Sequence, residues 1–364
     1  MPIRLLAAAA MPTRFSVSQT DSAEFASTLC CDTPEQQRLL SALYRRTRIR
    51  KRGSALLDES NGRIVHTFFE RREGPGDSGP TTSARMVKFE QHAGALACRA
   101  CEEALSRAGL SASAVTHLIV VTCTGFYAPG IDYDVMVGLG LRSDLQRIQI
   151  GFMGCHAVLN ALGVAQALVA SDPDARVLIV SVELCSLHFQ YGWDADHVVS
   201  NSLFADGAGA LVIGGGEPES GGTQHWTCIA HGSDLVPDSA DAMTWRIGDA
   251  GFQMTLSARV PELIERNLAH SLERWLRKYD CSLSQIRSWA VHPGGPRILT
   301  ATEKALGLPP EALQISRSVL SGNGNMSSAT MTFLLDEMIR RDSARPCLAL
   351  GFGPGLTIES ALFG

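Results

Sequence analysis

Short β-branched apolar runs alternate along this chain with longer Ala/Leu-rich stretches of helical period. The first kind predicts strands and the second predicts helices. His117-Leu-Ile-Val-Val-Thr-Cys123, Arg176-Val-Leu-Ile-Val-Ser-Val-Glu-Leu184 and Gly209-Ala-Leu-Val-Ile-Gly214 are apolar runs of strand length. Ser288-Trp-Ala-Val-His292, Cys347-Leu-Ala-Leu-Gly351 and a closing strand ending at Phe363 repeat the plan near the C-terminus. Helices are expected over 19–44, 83–108, 157–170, 258–279 and 327–341. In the first, Thr20 or Asp21 is the expected N-cap, and Leu39, Leu40 and Leu43 share a face. In the second, Ala93, Gly94, Ala95, Ala97 and Ala100 permit close packing. Met1 to Met11 is expected to be the first strand. The Gly/Pro-rich stretch Gly214-Gly-Gly-Glu-Pro-Glu-Ser-Gly-Gly222 marks an internal boundary. It divides the chain into units 1–222 and 223–364. Alternating elements in two similar halves imply an α/β architecture with sheets covered by helices.

Composition narrows the function without naming it. A chain of 364 residues can bury a large core, and 45% apolar with 19% charged residues is ordinary for a globular protein. A net charge of −5 argues against nucleic acid as a partner, which normally needs a basic face. No run approaches the roughly 20 apolar residues of a membrane span, so no membrane insertion is expected. Ten cysteines, single or in unpatterned pairs, suit a reducing, cytoplasmic compartment. Cys98-x-x-Cys101 lies within a helical pattern with no second pair to complete a zinc site, so no metal is expected. Arg45-Arg-Thr-Arg-Ile-Arg-Lys-Arg52 is the dense basic run, either a solvated face or a local anion site.

Candidate chemistry begins at Gly151-Phe-Met-Gly-Cys155-His-Ala-Val-Leu-Asn160. Ile148-Gln-Ile150 leads in and the helix from Ala157 leads out. Cys155 therefore falls at or near a helix N-terminus, where free N–H groups and the dipole favour a thiolate. Alone, Cys155 could equally be a small buried apolar residue. Two more spots stand out. Val291-His292-Pro-Gly-Gly-Pro296 sets a histidine where a strand gives way to a rigid loop. Ser321-Gly-Asn-Gly-Asn325-Met-Ser-Ser-Ala-Thr330 sets an asparagine in a loop that opens a helix. Either residue could be structural. Together, Cys155, His292 and Asn325 form a coherent set: an imidazolium to stabilise the thiolate, and two donors for a thioester oxygen as it becomes an enolate or oxyanion.

Gly154-Cys155, His292-Pro-Gly-Gly-Pro296, Gly324-Asn325-Met-Ser-Ser-Ala329 and Gly351-Phe-Gly-Pro-Gly-Leu-Thr357 resemble the signatures of type III polyketide synthases. These are the chalcone/stilbene synthase-like members of the thiolase superfamily, and the resemblance runs from about residue 12 to the end. It implies a five-layer αβαβα thiolase-like fold of two similar halves and a homodimer. The implied activity is iterative decarboxylative condensation of malonyl-CoA onto an acyl-CoA starter, with no cofactor beyond these substrates. By the same resemblance Cys155 is the acyl-accepting nucleophile, His292 and Asn325 hold thioester oxygens, and Phe204 is a gatekeeper between CoA tunnel and cavity. Cys123, Cys185, His188, Trp245, Ser327 and Pro354 fall on cavity positions, and Gly294 and Gly295 on the CoA side.

The chain departs from the plant pattern in several places. Met254 stands where those enzymes carry a second aromatic at the cavity mouth. Ala128 replaces a Met that they insert across the dimer. Of the basic residues that grip CoA phosphates only Arg46 has a match; Leu39 and Ala42 occupy the other positions, leaving Arg45 and Arg48 as substitutes. Trp245 replaces a Gly of coumaroyl-accepting relatives. The stretches Asp241–Phe252 and Val182–Leu187 resemble bacterial alkylpyrone or alkylresorcinol synthases. A medium or long fatty acyl starter is therefore expected, with small or aromatic starters as the alternative. Rival readings are a starter-loading ketoacyl-ACP synthase, a thiolase-fold scaffold without chemistry, and a Cys/His hydrolase. The first typically follows its His with Gln-Ala-Asn; the intact Cys, His and Asn oppose the second; no water-activating base beyond the shared His supports the third.

Overall fold

The apolar runs pair edge to edge because each can hide both faces only under helices. The computed structural model describes residues 2–215 and 226–364. Its first part contains β1 (Ile3–Pro12), β2 (Ser16–Ser18), α1 (Gln19–Cys30), α2 (Pro34–Arg46), β3 (Lys51–Gly53), β4 (Leu57–Ser60), β5 (Arg63–His66) and α3 (Thr82–Ala108). Then come β6 (His117–Thr122), α4 (Ile131–Leu139), β7 (Gln146–Gly151), α5 (Ala157–Ser171), β8 (Arg176–Leu184), α6 (Ala195–Leu203) and β9 (Asp206–Gly214). The rest holds β10 (Trp226–Leu235), β11 (Met243–Gly248), β12 (Gly251–Leu256), α7 (Val260–Leu276) and β13 (Ser288–Val291). It ends with α8 (Pro296–Leu306), α9 (Gln314–Asn323), α10 (Ala329–Arg340), β14 (Cys347–Gly353) and β15 (Thr357–Phe363).

Among the described residues nine strands bond in the order β13-β14-β15-β10-β1-β9-β8-β6-β7. Two sub-sheets are thus joined edge to edge, through a short β1–β10 ladder that pairs Ile3 with Cys228 and Leu5 with Trp226. Side chains of period two split the cores. Leu118 and Val120 of β6 face one layer, with Phe89, Ala97 and Ala104 of α3. Ile119 and Val121 face the other, with Ala161 and Leu162 of α5 and Leu334 of α10. That middle layer also receives Ala290, Ala349 and Ala361 from the second sub-sheet. Trp289, Leu348, Leu350 and Ile358 point outward onto Ile264 and Leu268 of α7 and Leu299 of α8. The succession is outer helices, sheet, α5 with α10, sheet, outer helices: the five expected layers.

Several local expectations need correction. The segment 19–44 is two helices, because Thr33 starts a second one with a capping box to Gln36 and Pro34 at its first turn. The first helix is capped by Ser18, whose side chain accepts from the Asp21 N–H, and not by Thr20 or Asp21. Leu40 is buried but Leu39 is 55% exposed, since consecutive residues of one helix stand about 100° apart around its axis. Helices α4, α6, α8 and α9, strand β10 and the β11–β12 hairpin were not anticipated. The proposed boundary at 214–222 lies mostly outside the described residues.

Candidate active site

Three strand ends converge on the site. After β7 the chain turns through Phe152 at φ 57° and Gly154 at φ 91° and reaches Cys155, two residues before α5. A Cβ at Gly154 would sit 2.4 Å from Pro354 Cδ, so only glycine fits this turn. The Gly154 N–H donates to Cys123 Sγ at 3.2 Å, tying the turn to the end of β6. His292 follows β13 and donates its backbone N–H to the Leu350 carbonyl at 2.8 Å. Gly295 and Pro296 then open α8, which fixes the loop. Asn325 follows Gly324 (φ 77°) at the end of α9. Its backbone is laced to the segment around Phe204: Asn325 N–H donates to Leu203 O at 2.9 Å and Ala205 N–H to Asn325 O at 2.8 Å. Its Oδ1 accepts from the Ser327 N–H at 2.9 Å, and its amide points weakly at Gly294 O at 3.5 Å.

These residues share a chain of cavities. One is lined by Cys155, His292, Asn325, Gly294, Phe204, Met243 and Met254 among others. A second adjoins it at Cys155, Phe204, Met243 and Met254 and adds Cys123, Cys185, Trp245, Ser327 and Pro354. A third meets the second at Cys185, Phe204, Trp245 and Met254, and continues to Phe25, Leu56, Phe69 and Phe189. Phe204 borders all three. Gly295 lies beside Leu203 at the start of α8.

The hairpin β11–β12 sets Trp245 opposite Met254. The indole donates to the Cys123 carbonyl at 2.8 Å and is thereby fixed. His188 Nε2 bonds the Thr124 carbonyl at 2.7 Å, and its Nδ1 accepts from the Phe252 N–H at 2.9 Å. It stacks on Phe252 and meets Trp245 edge-on. His188 is therefore a strut that carries the hairpin, with one edge on the third cavity.

Burial works against the charged pair expected of Cys155 and His292. Burial pushes the Cys155 thiol up to about 12, and the buried Glu183 carboxylate adds to that, while hydrogen bonds from Ser327 and Asn325 favour the thiolate. Burial and the neighbouring His156 hold His292 down at about 3. Desolvation is the largest influence on both groups and opposes the helix-terminus effect anticipated for Cys155. Both ring nitrogens of His292 are buried without a hydrogen-bond partner, although the Asn325 amide lies close enough to favour its charged form.

Three contributors escaped the sequence reading. Glu183, a charge inside an apolar run, accepts from the Cys123 N–H at 3.0 Å, from Thr124 Oγ1 at 2.7 Å and from Ser328 Oγ. His156, next to the cysteine, bonds Asn160 Oδ1 and Thr357 Oγ1 and packs against Gly351 and Gly353. Arg52, last in the basic run, turns inward, whereas Arg45, Arg46, Arg48 and Arg50 are exposed. Cys98 and Cys101 sit on α3, Cys101 in the core. Among the described residues no group of three His, Cys, Asp or Glu side chains is placed to hold a metal, and no helix is long and apolar enough to cross a membrane.

Fold and site together define a protein of the thiolase type. Residues 3–218 match the N-terminal domain of chalcone and stilbene synthases and residues 229–364 the C-terminal domain. The chain belongs to this family and is a type III polyketide synthase, a condensing acyltransferase. It is 32% identical over 352 residues to the alpha-pyrone synthesis polyketide synthase-like Pks18 of Mycobacterium tuberculosis, covering 95% of this chain and 87% of that one. It is also 32% identical to the 1,3,6,8-tetrahydroxynaphthalene synthase of Streptomyces peucetius, over 95% of this chain and 88% of the relative. The crystal structure of PKS-I from the brown alga Ectocarpus siliculosus superposes with a TM-score of 0.93 at 28% identity, covering 100% of this chain and 97% of that one. The C-terminal type III domain of Steely1 from Dictyostelium does so with 0.89 at 26%, covering 100% and 99%.

Proposed function

We propose that this synthase loads a medium or long fatty acyl-CoA onto Cys155, extends it with malonyl-CoA and releases an alkylpyrone or alkylresorcinol. The Cys155 thiol gives its proton to His292 as sulfur attacks the acyl thioester, and CoA leaves as the thiol. Malonyl-CoA then loses CO₂. His292 and Asn325 donate to the thioester oxygen of the resulting enolate, whose carbon attacks the acyl-Cys155 carbonyl and frees the sulfur. The observation that carries this reading is His292 itself, which lines the cavity of Cys155 and Asn325 with neither ring nitrogen in a full hydrogen bond: a buried donor so placed awaits a partner from substrate.

The starter class rests on the third cavity. Trp245 is bonded in place and fills the space that a Gly would leave, whereas the small Cys185 stands in the wall shared with the third cavity, which runs on to Phe25, Leu56, Phe69 and Phe189. Arg45, Arg46 and Arg48 are exposed at the end of α2 to meet CoA phosphates, with Gly294 and Gly295 beside the pantetheine path. A second copy is the proposed partner. Among the described residues no strand pairs with the outer edge of β7, and Phe126, Tyr133, Val137, Phe152 and Met153 are exposed near it, as is Ala128. We assign the protein to the cytoplasm on its ten free cysteines.

An acyl-CoA series read by mass spectrometry tests the proposal. Each buried methylene contributes at most about 0.8 kcal/mol, so kcat/KM is expected to climb from C4 towards C10–C12. Intact wild-type protein should carry the acyl adduct, and Cys155→Ala none. A maximum at C2–C4 or with coumaroyl-CoA overturns the starter class; an adduct on Cys155→Ala overturns the nucleophile.

A further inference from the structure

Arg52 ends a run of exposed bases, yet its own guanidinium is drawn into the protein. It lies 5.5 Å over the Tyr44 ring of α2. Its Nη1 donates to two carbonyls of the last turn of α6, Asn201 O and Phe204 O, each at 2.7 Å. A cation at the negative end of a helix is favoured there. Its Nε is buried without a partner. The Tyr44 hydroxyl favours its charge first and Asp206 less, from a distance, the Asp206 oxygens being occupied by Ala55 N–H and by the backbone and hydroxyl of Ser186. Desolvation is correspondingly the largest influence on Arg52. A cation held this way, by carbonyls and not by a carboxylate, is costly to bury.

What the cation holds is the junction of gate and amide. Phe204, whose carbonyl it binds, forms an isolated parallel bridge with Asn325. The stem of Arg52 also presses on Gly324: a Cβ there would lie 3.0 Å from Arg52 Cγ and 3.2 Å from Cδ. One side chain therefore touches both strands of the bridge, the head on Phe204 and the stem on the residue before Asn325. We propose that Arg52 is a positioning residue that keeps the Phe204 gate and the Asn325 amide in register for malonyl-CoA decarboxylation and condensation. The Cys155 turn is anchored elsewhere, by Cys123 and Pro354, so access to the nucleophile does not depend on Arg52, which reaches the thiol only through the Asn325 hydrogen bond, a smaller influence than that of Ser327.

This inference rests on the roles given to His292 and Asn325, so Asn325→Ala is measured beside it. Arg52→Met keeps the stem and removes the donors. It is expected to slow malonyl-CoA decarboxylation and condensation about tenfold or more, with alkylation of Cys155 by iodoacetamide within about twofold of wild type. Arg52→Lys, a cation on the same stem, should recover part of the loss. Wild-type decarboxylation in Arg52→Met, or an equal loss of all three activities, overturns the proposal. If Arg52→Met does not accumulate folded, Arg52→Lys decides: decarboxylation lowered with alkylation kept supports it, and both kept or both lost overturns it. Full decarboxylation by Asn325→Ala would instead sink the reading of the site itself.

Discussion

His188 and His292 are two imidazoles hidden alike, 5% and 1% exposed, and burial holds both near 3. Their surroundings differ in one respect. Both nitrogens of His188 are used by the backbone, at Thr124 O and Phe252 N–H, whereas neither nitrogen of His292 has a full hydrogen bond among the described residues, only the nearby Asn325 amide. Burial and titration therefore do not separate the strut from the candidate catalyst; hydrogen-bond satisfaction does. A satisfied buried group lowers the energy of the folded chain, and an unsatisfied one raises it unless a ligand arrives.

The sharpest way to break the comparison is to remove the unsatisfied imidazole. His292→Ala is expected to slow malonyl-CoA decarboxylation by about 10²–10³, as the loss of an oxyanion donor typically does. Its thermal stability should hold or rise, since no native hydrogen bond is lost, less the effect of the small cavity it leaves. Decarboxylation at the wild-type rate would move His292 to the class of His188.

Much of this was legible before any coordinates. Cys155, His292 and Asn325 sit where short motifs mark the ends of elements, and local sequence encodes such turns. The apolar strands were equally plain, because burial on both faces writes an unbroken run. Edges and hairpins were harder. The strand β10 carries Thr227, His231, Ser233 and Asp234, and β11–β12 mixes Trp245 with Arg246 and Gln253, so neither shows an apolar run. Their pairing is decided by distant partners: β10 by β15 and β1, the hairpin by Cys123 and His188. Arg52 and Glu183 were invisible as site builders for the same reason. A buried charge is explained only by what surrounds it, and the groups that hold Arg52 lie some 150 residues away.

The satisfied imidazole gives the converse result. His188→Leu leaves the Thr124 carbonyl and the Phe252 N–H buried without partners, at about 1–3 kcal/mol for each. Unfolding in denaturant should register that loss, while malonyl-CoA decarboxylation stays within about threefold of wild type, because no donor to substrate is removed. Product distribution should shift, since Trp245 and Met254 ride on the hairpin that His188 carries. A His188→Leu protein as stable as wild type would mean that the strut bears no load.

The smallest effect is one in which the two histidines should agree. An imidazole held near 3 in the folded chain titrates at about 6.5 when unfolded. Below about pH 6.5 the unfolded chain binds a proton that the native one refuses, so stability falls as pH falls, by at most about 1.4 kcal/mol per unit for each group. Asp206 works the other way. Burial raises it to about 6, so between there and its unfolded value near 3.8 the native chain holds the extra proton and gains stability on acidification. Glu183, also raised, adds to that opposition. The total slope mixes these signs, but a difference between variant and wild type isolates one histidine. Relative to wild type, His188→Gln and His292→Gln should each gain stability on going from pH 6.5 to 4.5, with nearly the same slope. That agreement is what assigns the disparity in turnover to free nitrogens and not to burial. A difference that stays flat with pH for His292 alone would show that its imidazole finds a proton-stabilising partner in the resting enzyme, and the contrast with His188 would rest on charge instead.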